Sequence, residues 1–265
     1  MKIFEKVWVK LKIARRVSKF GANFYYQAKF FFFVLFEPIF SVINNSIFRF
    51  QIKIDNRIFF VYMSDRSDIS VFDEVFVKEA YRIKLNKEPN VIFDLGSNSG
   101  FSVLYFKIKF PKALIYAFEP NLQIFNKLLL NCGQFSDVKC FNVAITDKEG
   151  EQDFFVNTKA SLSSALVKRT GTDRVIKAKT RNLDSIIKEF KISQIDLLKF
   201  DIEGGEYNAF KEFHNLKIVN NLIGEVHLDL MNVSRDNFLD IFKSDFTLTE
   251  KTLSPKRFII NLKSK

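Results

Sequence analysis

Three short stretches of this 265-residue chain hold side chains whose types and spacing could do chemistry. The first is Val91-Ile-Phe-Asp-Leu-Gly-Ser-Asn-Ser-Gly100, an apolar strand pattern that runs into a glycine-bearing turn and then a helix. Gly96 and Gly100 permit a tight turn and a close approach of ligand to backbone, and free N–H groups at the helix start can face that ligand. A dinucleotide fingerprint G-x-G-x-x-G would need glycine at position 98, which is Asn98, and the sequence has no G-x-x-x-x-G-K-[ST] phosphate loop. Asp94 at the strand end, with Ser97 and Asn98 in the turn, suits a ligand carrying an ammonium group better than a pyrophosphate.

The second stretch is Tyr116-Ala-Phe-Glu-Pro-Asn121, which puts Glu119 19 residues after Gly100. In a doubly wound sheet the acid that closes the second strand lies about 20 residues beyond the glycine turn and accepts hydrogen bonds from ribose hydroxyls. The third is Ile195-Asp-Leu-Leu-Lys-Phe-Asp-Ile-Glu-Gly-Gly-Glu206, with Glu225-Val-His227 ending a later strand. Lys199, Asp201, Glu203, Glu225 and His227 then gather at carboxyl strand ends, where ligands of open parallel sheets sit. They offer a proton acceptor, a ligand for an ammonium group, or a cation site. Glu206 reads as a helix-N-terminal acid favoured by the macrodipole. His214 reads as a surface residue within a helix, and Cys132 and Cys140 as structural.

The elements that must position these residues follow from hydrophobic patterning. After Asn90, short wholly apolar runs alternate with amphipathic stretches, as a parallel sheet buried on both faces requires. Strands are expected at Val91 to Leu95, Leu114 to Phe118, Lys139 to Ile145, Asp196 to Phe200 and Leu222 to His227. Helices are expected at Phe101 to Phe110, Leu122 to Asn131, Leu183 to Phe190, Tyr207 to Phe213 and Arg235 to Phe242. Phe246 to Glu250 and Arg257 to Leu262 read as an antiparallel hairpin turning at Ser254-Pro255. Asn157 to Thr172 reads as a long loop, of the kind that serves as a lid or binding loop.

Ahead of this lies a preamble. Ile3, Val7, Leu11, Ala14 and Val17 recur at helical spacing among lysines and arginines, a basic amphipathic helix. An aromatic block from Phe24 to Phe36 follows and is expected to stop at Glu37-Pro38. Ile47 to Met63 alternates around Asp55-Asn56, a hairpin signal. Val71 to Leu85 is spaced as a helix, and Glu88-Pro89-Asn90 marks a boundary. The expected divisions are 1–45, a basic and aromatic helical segment; 46–89, hairpin and helix; and 90–265, the α/β domain.

Composition narrows the function classes. With 47% hydrophobic and 27% charged residues the chain is not disordered, and two cysteines with two histidines give neither a disulfide framework nor a Cys/His zinc site. The longest unbroken apolar run, Phe30 to Phe36, has seven residues where a membrane-spanning helix needs about 20. Of the net charge of +11, residues 1–20 carry +6. Two readings of the first 40 residues stay open: a basic helix and aromatic wedge on an anionic membrane surface, or a helix covering the main domain or a partner subunit.

The motifs quoted above, with Asn142-Val-Ala-Ile-Thr-Asp147 and Gly150, Asn182-Leu-Asp-Ser185 and Gly224-Glu-Val-His227, resemble the FkbM-type methyltransferases. The resemblance covers about residues 66–261. It implies a Rossmann-like class I fold, with a seven-stranded mostly parallel sheet and an antiparallel C-terminal hairpin. It further implies S-adenosylmethionine as cofactor. Asp94, Gly96, Ser97, Asn98 and Gly100 would surround its methionine part, with Asp201 beside them. Glu119 and Pro120 would meet the ribose, and Asn142 and Ala144 the adenine. Ser97 and Gly205 stand where the family usually has alanine, and both are small.

The activity then expected is transfer of a methyl group to a hydroxyl of a sugar, glycan or secondary metabolite, with the protein supplying alignment and a proton acceptor. Candidates for catalysis are His227, Asp201, Glu203 and Lys199. No metal is required on this reading; were a cation used, Asp201 and Glu203 would be its ligands. A nucleic-acid methyltransferase is disfavoured, because no two prolines are adjacent and no Pro-Cys pair exists. A membrane-surface module that keeps the fold without catalysis is the alternative from another class. The expected place is cytoplasmic; if the first 40 residues hold the protein on the inner face of the membrane, a lipid-linked glycan or its nucleotide-sugar precursor is a natural acceptor.

Overall fold

A computed structural model describes residues 2–43, 47–157, 164–165 and 173–265. The chain forms two compact units, Met1–Ala80 with Leu129–Gln134, and Tyr81–Leu128 with Phe135–Lys265.

Among the described residues, the first unit comprises helices α1 (Lys2–Ser18) and α2 (Phe24–Ile43), strands β1 (Phe48–Ile54) and β2 (Arg57–Met63), and helix α3 (Arg66–Phe72). Asp55 and Asn56 both take positive φ, the conformation a two-residue hairpin turn demands, so β1 and β2 pair antiparallel. Asn131 and Gln134 bond the backbone of β2 at Tyr62 and Phe60, which ties the segment 129–134 to this unit. Pro38 does not end α2 as expected. A proline in a helix interior costs about 3 kcal/mol, and burial of Phe30, Phe33 and Val34 offsets it, each such side chain contributing roughly 1.5–3 kcal/mol. The helix expected over Val71 to Leu85 is displaced. Asp65 caps α3 by accepting from the N–H groups of Ser67 and Asp68, a π-helical turn follows at Asp73–Val77, and Glu79 at φ 48° ends helical geometry.

In chain order the second unit contains β3 (Val91–Leu95), α4 (Phe101–Lys109), β4 (Leu114–Phe118), α5 (Leu122–Cys132, its last turn belonging to the first unit), β5 (Val138–Phe141), β6 (Ala144–Ile145), β7 (Gly150–Asn157), β8 (Ser164–Ala165) and β9 (Asp173–Arg181). Then come α6 (Leu183–Phe190), β10 (Leu197–Phe200), α7 (Glu206–Phe210), β11 (Asn221–His227), α8 (Arg235–Asp240), β12 (Phe246–Ser254) and β13 (Arg257–Ser264). The seven-stranded sheet expected from the resemblance has the order β12-β13-β11-β10-β3-β4-β5. β13 runs antiparallel to both neighbours, and the pairings from β11 to β5 are parallel. Strand order reverses between β3 and β10, and crevices at such switch points are where open α/β sheets bind ligands.

β3, β4 and β10 are buried almost throughout, with Phe93, Phe118 and Phe200 in the core. The strand expected over Lys139 to Ile145 is divided. Asn142 turns its side chain back to carbonyls at the end of β4, and Ala144 then joins a second sheet of order β6-β9-β7-β8. The long loop expected at Asn157 to Thr172 lies largely outside the described residues; within it Ser164–Ala165 pairs with β7.

Candidate active site

β3 and β10 place Asp94 directly opposite Lys199 in register. The Lys199 ammonium lies 2.9 Å from Asp94 Oδ1 and donates to the Gly96 carbonyl at 2.7 Å, while the Ser102 hydroxyl donates to Asp94 Oδ2 at 2.5 Å. Asp94 and Lys199 are both fully buried. Their charges therefore hold the glycine turn from within. Gly96 sits at φ 75°, and a Cβ there would come 1.9 Å from the Asp201 carbonyl oxygen, so its missing side chain admits protein backbone. Ser97 Oγ donates to the Asp94 carbonyl at 2.8 Å and accepts from the Phe118 N–H at 3.1 Å, which locks the turn to β4. Asn98 takes φ 49°, and Gly100 at φ 90° leads into α4. The turn is thus fixed before any ligand arrives.

Glu119 leaves β4 beside this turn. Its carboxylate accepts from the Asn98 N–H at 3.1 Å and the Asn121 N–H at 2.8 Å, and it is 5% exposed. Burial pushes its pKa up to about 7, against the pull of those two backbone hydrogen bonds and of the Lys199 charge. A carboxylate oxygen can accept more than one hydrogen bond, which suits it to hydroxyl donors of a nucleoside. Asn142 donates to the carbonyls of Glu119 and Pro120, at 2.9 Å each. Ala144, also buried, pairs with Thr180 in the second sheet. Asp94, Gly96, Ser97, Asn98, Glu119, Pro120 and Asn142 form one bonded network, with Gly100 at its helical edge.

A second cluster stands on the exits of β10 and β11. The segment after β10 turns through Glu203 at φ 53° and Gly204 at φ 95°; a Cβ on Gly204 would meet Leu230 Cβ at 2.7 Å. That strained turn delivers Asp201, Glu203 and Glu206 around one imidazole. His227, 2% exposed, has Nδ1 2.8 Å from Glu206 Oε1. Its Nε2 lies 3.3 Å from both Glu203 Oε2 and Glu225 Oε1, and 3.9 Å from Asp201 Oδ1. Burial alone would strip the imidazole of its proton, yet hydrogen bonds to Glu206 and Glu225 and the Asp201 charge outweigh it and push the pKa up to about 11.

Of the residues expected to act in catalysis, His227, Asp201 and Glu203 come together here, and Lys199 belongs to the turn. Lys199 still touches the second cluster through Tyr81. Its ammonium lies 5.0 Å from that ring's centroid, and the Tyr81 hydroxyl donates to Asp201 Oδ2 at 2.9 Å. Tyr81, Ser102 and Glu206 are the members that sequence reasoning missed. Glu206 heads α7 as expected, but its carboxylate is fully buried on His227 and on the Gly204 N–H. Only its two-residue offset from Gly204 in an acid-rich run signalled that; Ser102 and Tyr81 carried no local signal. His214 lies beyond the end of α7, exposed, against Asp184.

The model of a family described as the methyltransferase FkbM domain matches residues 94–244, which contain both clusters except Tyr81. The chain is 29% identical over 137 residues to the 2-O-methyltransferase NoeI of Sinorhizobium fredii, covering 46% of this chain and 56% of that protein. It is 28% identical over 143 residues to the hexuronic acid methyltransferase AglP of Haloferax volcanii, covering 53% and 57%. It also matches the AMB antimetabolite synthetase AmbE of Pseudomonas aeruginosa, 25% identical over 198 residues, 59% of this chain and 9% of that one. The chain thus spans less than two thirds of the length of each of these relatives. Among solved structures it is similar to the fibrillarin pre-rRNA processing protein of Methanococcus jannaschii, with a TM-score of 0.49 and 12% identity over 84% of each chain.

Proposed function

Because the chain belongs to the FkbM family of methyltransferases, we propose that it is an S-adenosylmethionine-dependent O-methyltransferase acting on a hydroxyl of a sugar or glycan. The observation that carries the cofactor reading is the carboxylate of Glu119, bonded to the backbone of the glycine turn through Asn98. The donor set fits the group. Glu119 presents acceptors for ribose hydroxyls, Asn98 and Gly100 shape a backbone cradle beside it, and the carboxylates of Asp201, Glu203 and Glu225 give an ammonium or sulfonium an anionic setting. When bound, S-adenosylmethionine supplies a methyl group on positively charged sulfur.

What the protein adds is alignment and a place for the acceptor's proton. Alignment can contribute roughly 7–11 kcal/mol, and a general base about 10²–10⁴-fold. Accessibility favours a carboxylate as the base. The imidazole of His227 is 2% exposed, whereas the Glu203 and Asp201 side chains are 23% and 25% exposed. Asp201 has one oxygen on Tyr81 and the other buried, which favours Glu203 as the acceptor of the hydroxyl proton. His227 and Glu206 position the carboxylates, and Lys199 positions the turn. The names of the relatives, a 2-O-methyltransferase and a hexuronic acid methyltransferase, support a hydroxyl of a carbohydrate as acceptor.

The test is methyl transfer from labelled S-adenosylmethionine to a panel of sugars, nucleotide sugars and lipid-linked glycans. An alkali-stable methyl ether on one of them supports the reading. Label found only in esters, in nucleic acid or nowhere would overturn it.

A feature of the first unit bears on where the acceptor is met. Trp8, Phe24, Tyr25, Phe32 and Phe36 are exposed by 45–85%, and Arg15, Arg16 and Lys19 are exposed as well. No helix among the described residues is long and apolar enough to cross a membrane. Aromatic side chains interleaved with cations fit an anionic bilayer surface. On this reading the chain floats with vesicles containing phosphatidylserine, and joint replacement of Trp8, Phe24, Phe32 and Phe36 by serine releases it. Equal flotation of both proteins would sink the membrane contact.

A further inference from the structure

We propose that Asp201, Glu225 and His227 bind one divalent first-row transition-metal cation, with Mn²⁺ as the probe. One ligand atom from each lies within 4.8 Å of the other two. Phe200 and Gly224 are the last paired residues of β10 and β11, so Asp201 and Glu225 are the next residues along two adjacent strands. The separation of these two ligands is therefore set by the sheet.

The side chains are prepared for a cation in ways that a mere accumulation of acids is not. Tyr81 holds Asp201 Oδ2, while Oδ1, facing the imidazole, is buried without a hydrogen-bond partner. A buried acceptor left unmade is rare and calls for a missing partner. Glu206, fully buried, engages His227 Nδ1 and thereby leaves Nε2 directed at the three other carboxylates. A carboxylate on the far nitrogen of an imidazole is the usual second support of a metal-bound histidine, fixing its tautomer and raising its basicity. Four carboxylates surround one imidazole, and the nearby Arg257 guanidinium is engaged with Asp229 at 2.7 Å. The donor set of imidazole and carboxylate oxygen fits Mn²⁺, Fe²⁺, Co²⁺ or Zn²⁺ better than Ca²⁺.

The role of the site, though not its existence, rests on the proposed methyl transfer. The cation polarises the acceptor hydroxyl and makes its proton easier to remove, and Glu203, outside the three ligands, takes that proton.

The experiment is titration of the full chain, stripped with a chelator and dialysed, with Mn²⁺ while free Mn²⁺ is followed by electron paramagnetic resonance. One Mn²⁺ is expected per chain. Glu225→Gln should weaken binding at least about tenfold, and Glu206→Gln, which touches no cation, by about 10–100-fold. The Glu225 side chain is 13% exposed, against 2% for His227 and 0% for Glu206, so its variant keeps the test open should replacement of a fully buried member unfold the chain; thermal melting of each variant monitors this. No uptake of Mn²⁺, Mg²⁺ or Zn²⁺ by folded protein, or uptake that Glu225→Gln leaves unchanged, would overturn the proposal. S-adenosylmethionine binding measured on the same samples separates the two ideas. Cation uptake without cofactor binding removes the methyl-transfer reading and leaves the site, and cofactor binding without cation uptake removes the site alone.

Discussion

Asp94 and Asp201 both stand at the carboxyl edge of the seven-stranded sheet, on adjacent strands, and their carboxylates meet opposite treatment. Asp94 has one oxygen on the Ser102 hydroxyl and the other in an ion pair 2.9 Å from the buried Lys199 ammonium, so its charge is neutralised within the core. Asp201 has one oxygen on Tyr81 and the other buried without a partner, in a group of four carboxylates around a single imidazole. A compensated buried pair builds architecture. An uncompensated cluster on a strained turn stores the capacity to take up positive charge, whether a proton, a sulfonium or a cation.

Variants can sharpen this contrast. Glu203→Gln, in the uncompensated cluster, should lower kcat by about 10²–10⁴-fold while melting within a few degrees of wild type; an unchanged kcat would assign the proton to another group. Lys199→Met leaves Asp94 in the core without its counter-ion, and should cost about 3–5 kcal/mol of stability in chemical denaturation. Joint replacement with Asp94→Asn should cost less than the two single changes summed; strict additivity would show that the pair is not the unit described here. The smallest effect is that of pH on cofactor affinity. Ionised Glu119 accepts hydroxyl donors at both oxygens and more strongly than the protonated acid does, and its pKa is raised to about 7. Affinity should therefore rise by about tenfold from pH 6 to pH 8 and stay flat in Glu119→Gln. A wild-type affinity independent of pH in that range would break the link between Glu119 and the cofactor.

The glycine turn was legible in the sequence because its parts are local: strand, turn and helix follow one another, and Glu119 falls at the offset that a doubly wound sheet imposes. Glu206 was harder, since an acid at a helix start has an ordinary explanation, and only the three-dimensional return of β11 puts His227 against it. Tyr81 lies 120 residues from Asp201, and no spacing rule links them. The second sheet has a weak sequence signal for a different reason. β9, Asp-Arg-Val-Ile-Lys-Ala-Lys-Thr-Arg, exposes the charged side chains of one face and buries only small Ala178 and Thr180 on the other, so its alternation carries little hydrophobic contrast. The helix through Pro38 shows the converse, a strong local stop signal overridden by packing of aromatic residues.

The central claim is that the turn from Asp94 to Gly100, with Glu119 beside it, holds S-adenosylmethionine. Isothermal titration of the purified chain with that compound tests it most directly, alongside Glu119→Ala. Saturable binding at one site, weakened at least about tenfold by the substitution, is the result predicted, since a hydrogen bond to a charged group contributes roughly 1.5–3 kcal/mol. Absence of binding by folded protein, or equal binding by the variant, would contradict it.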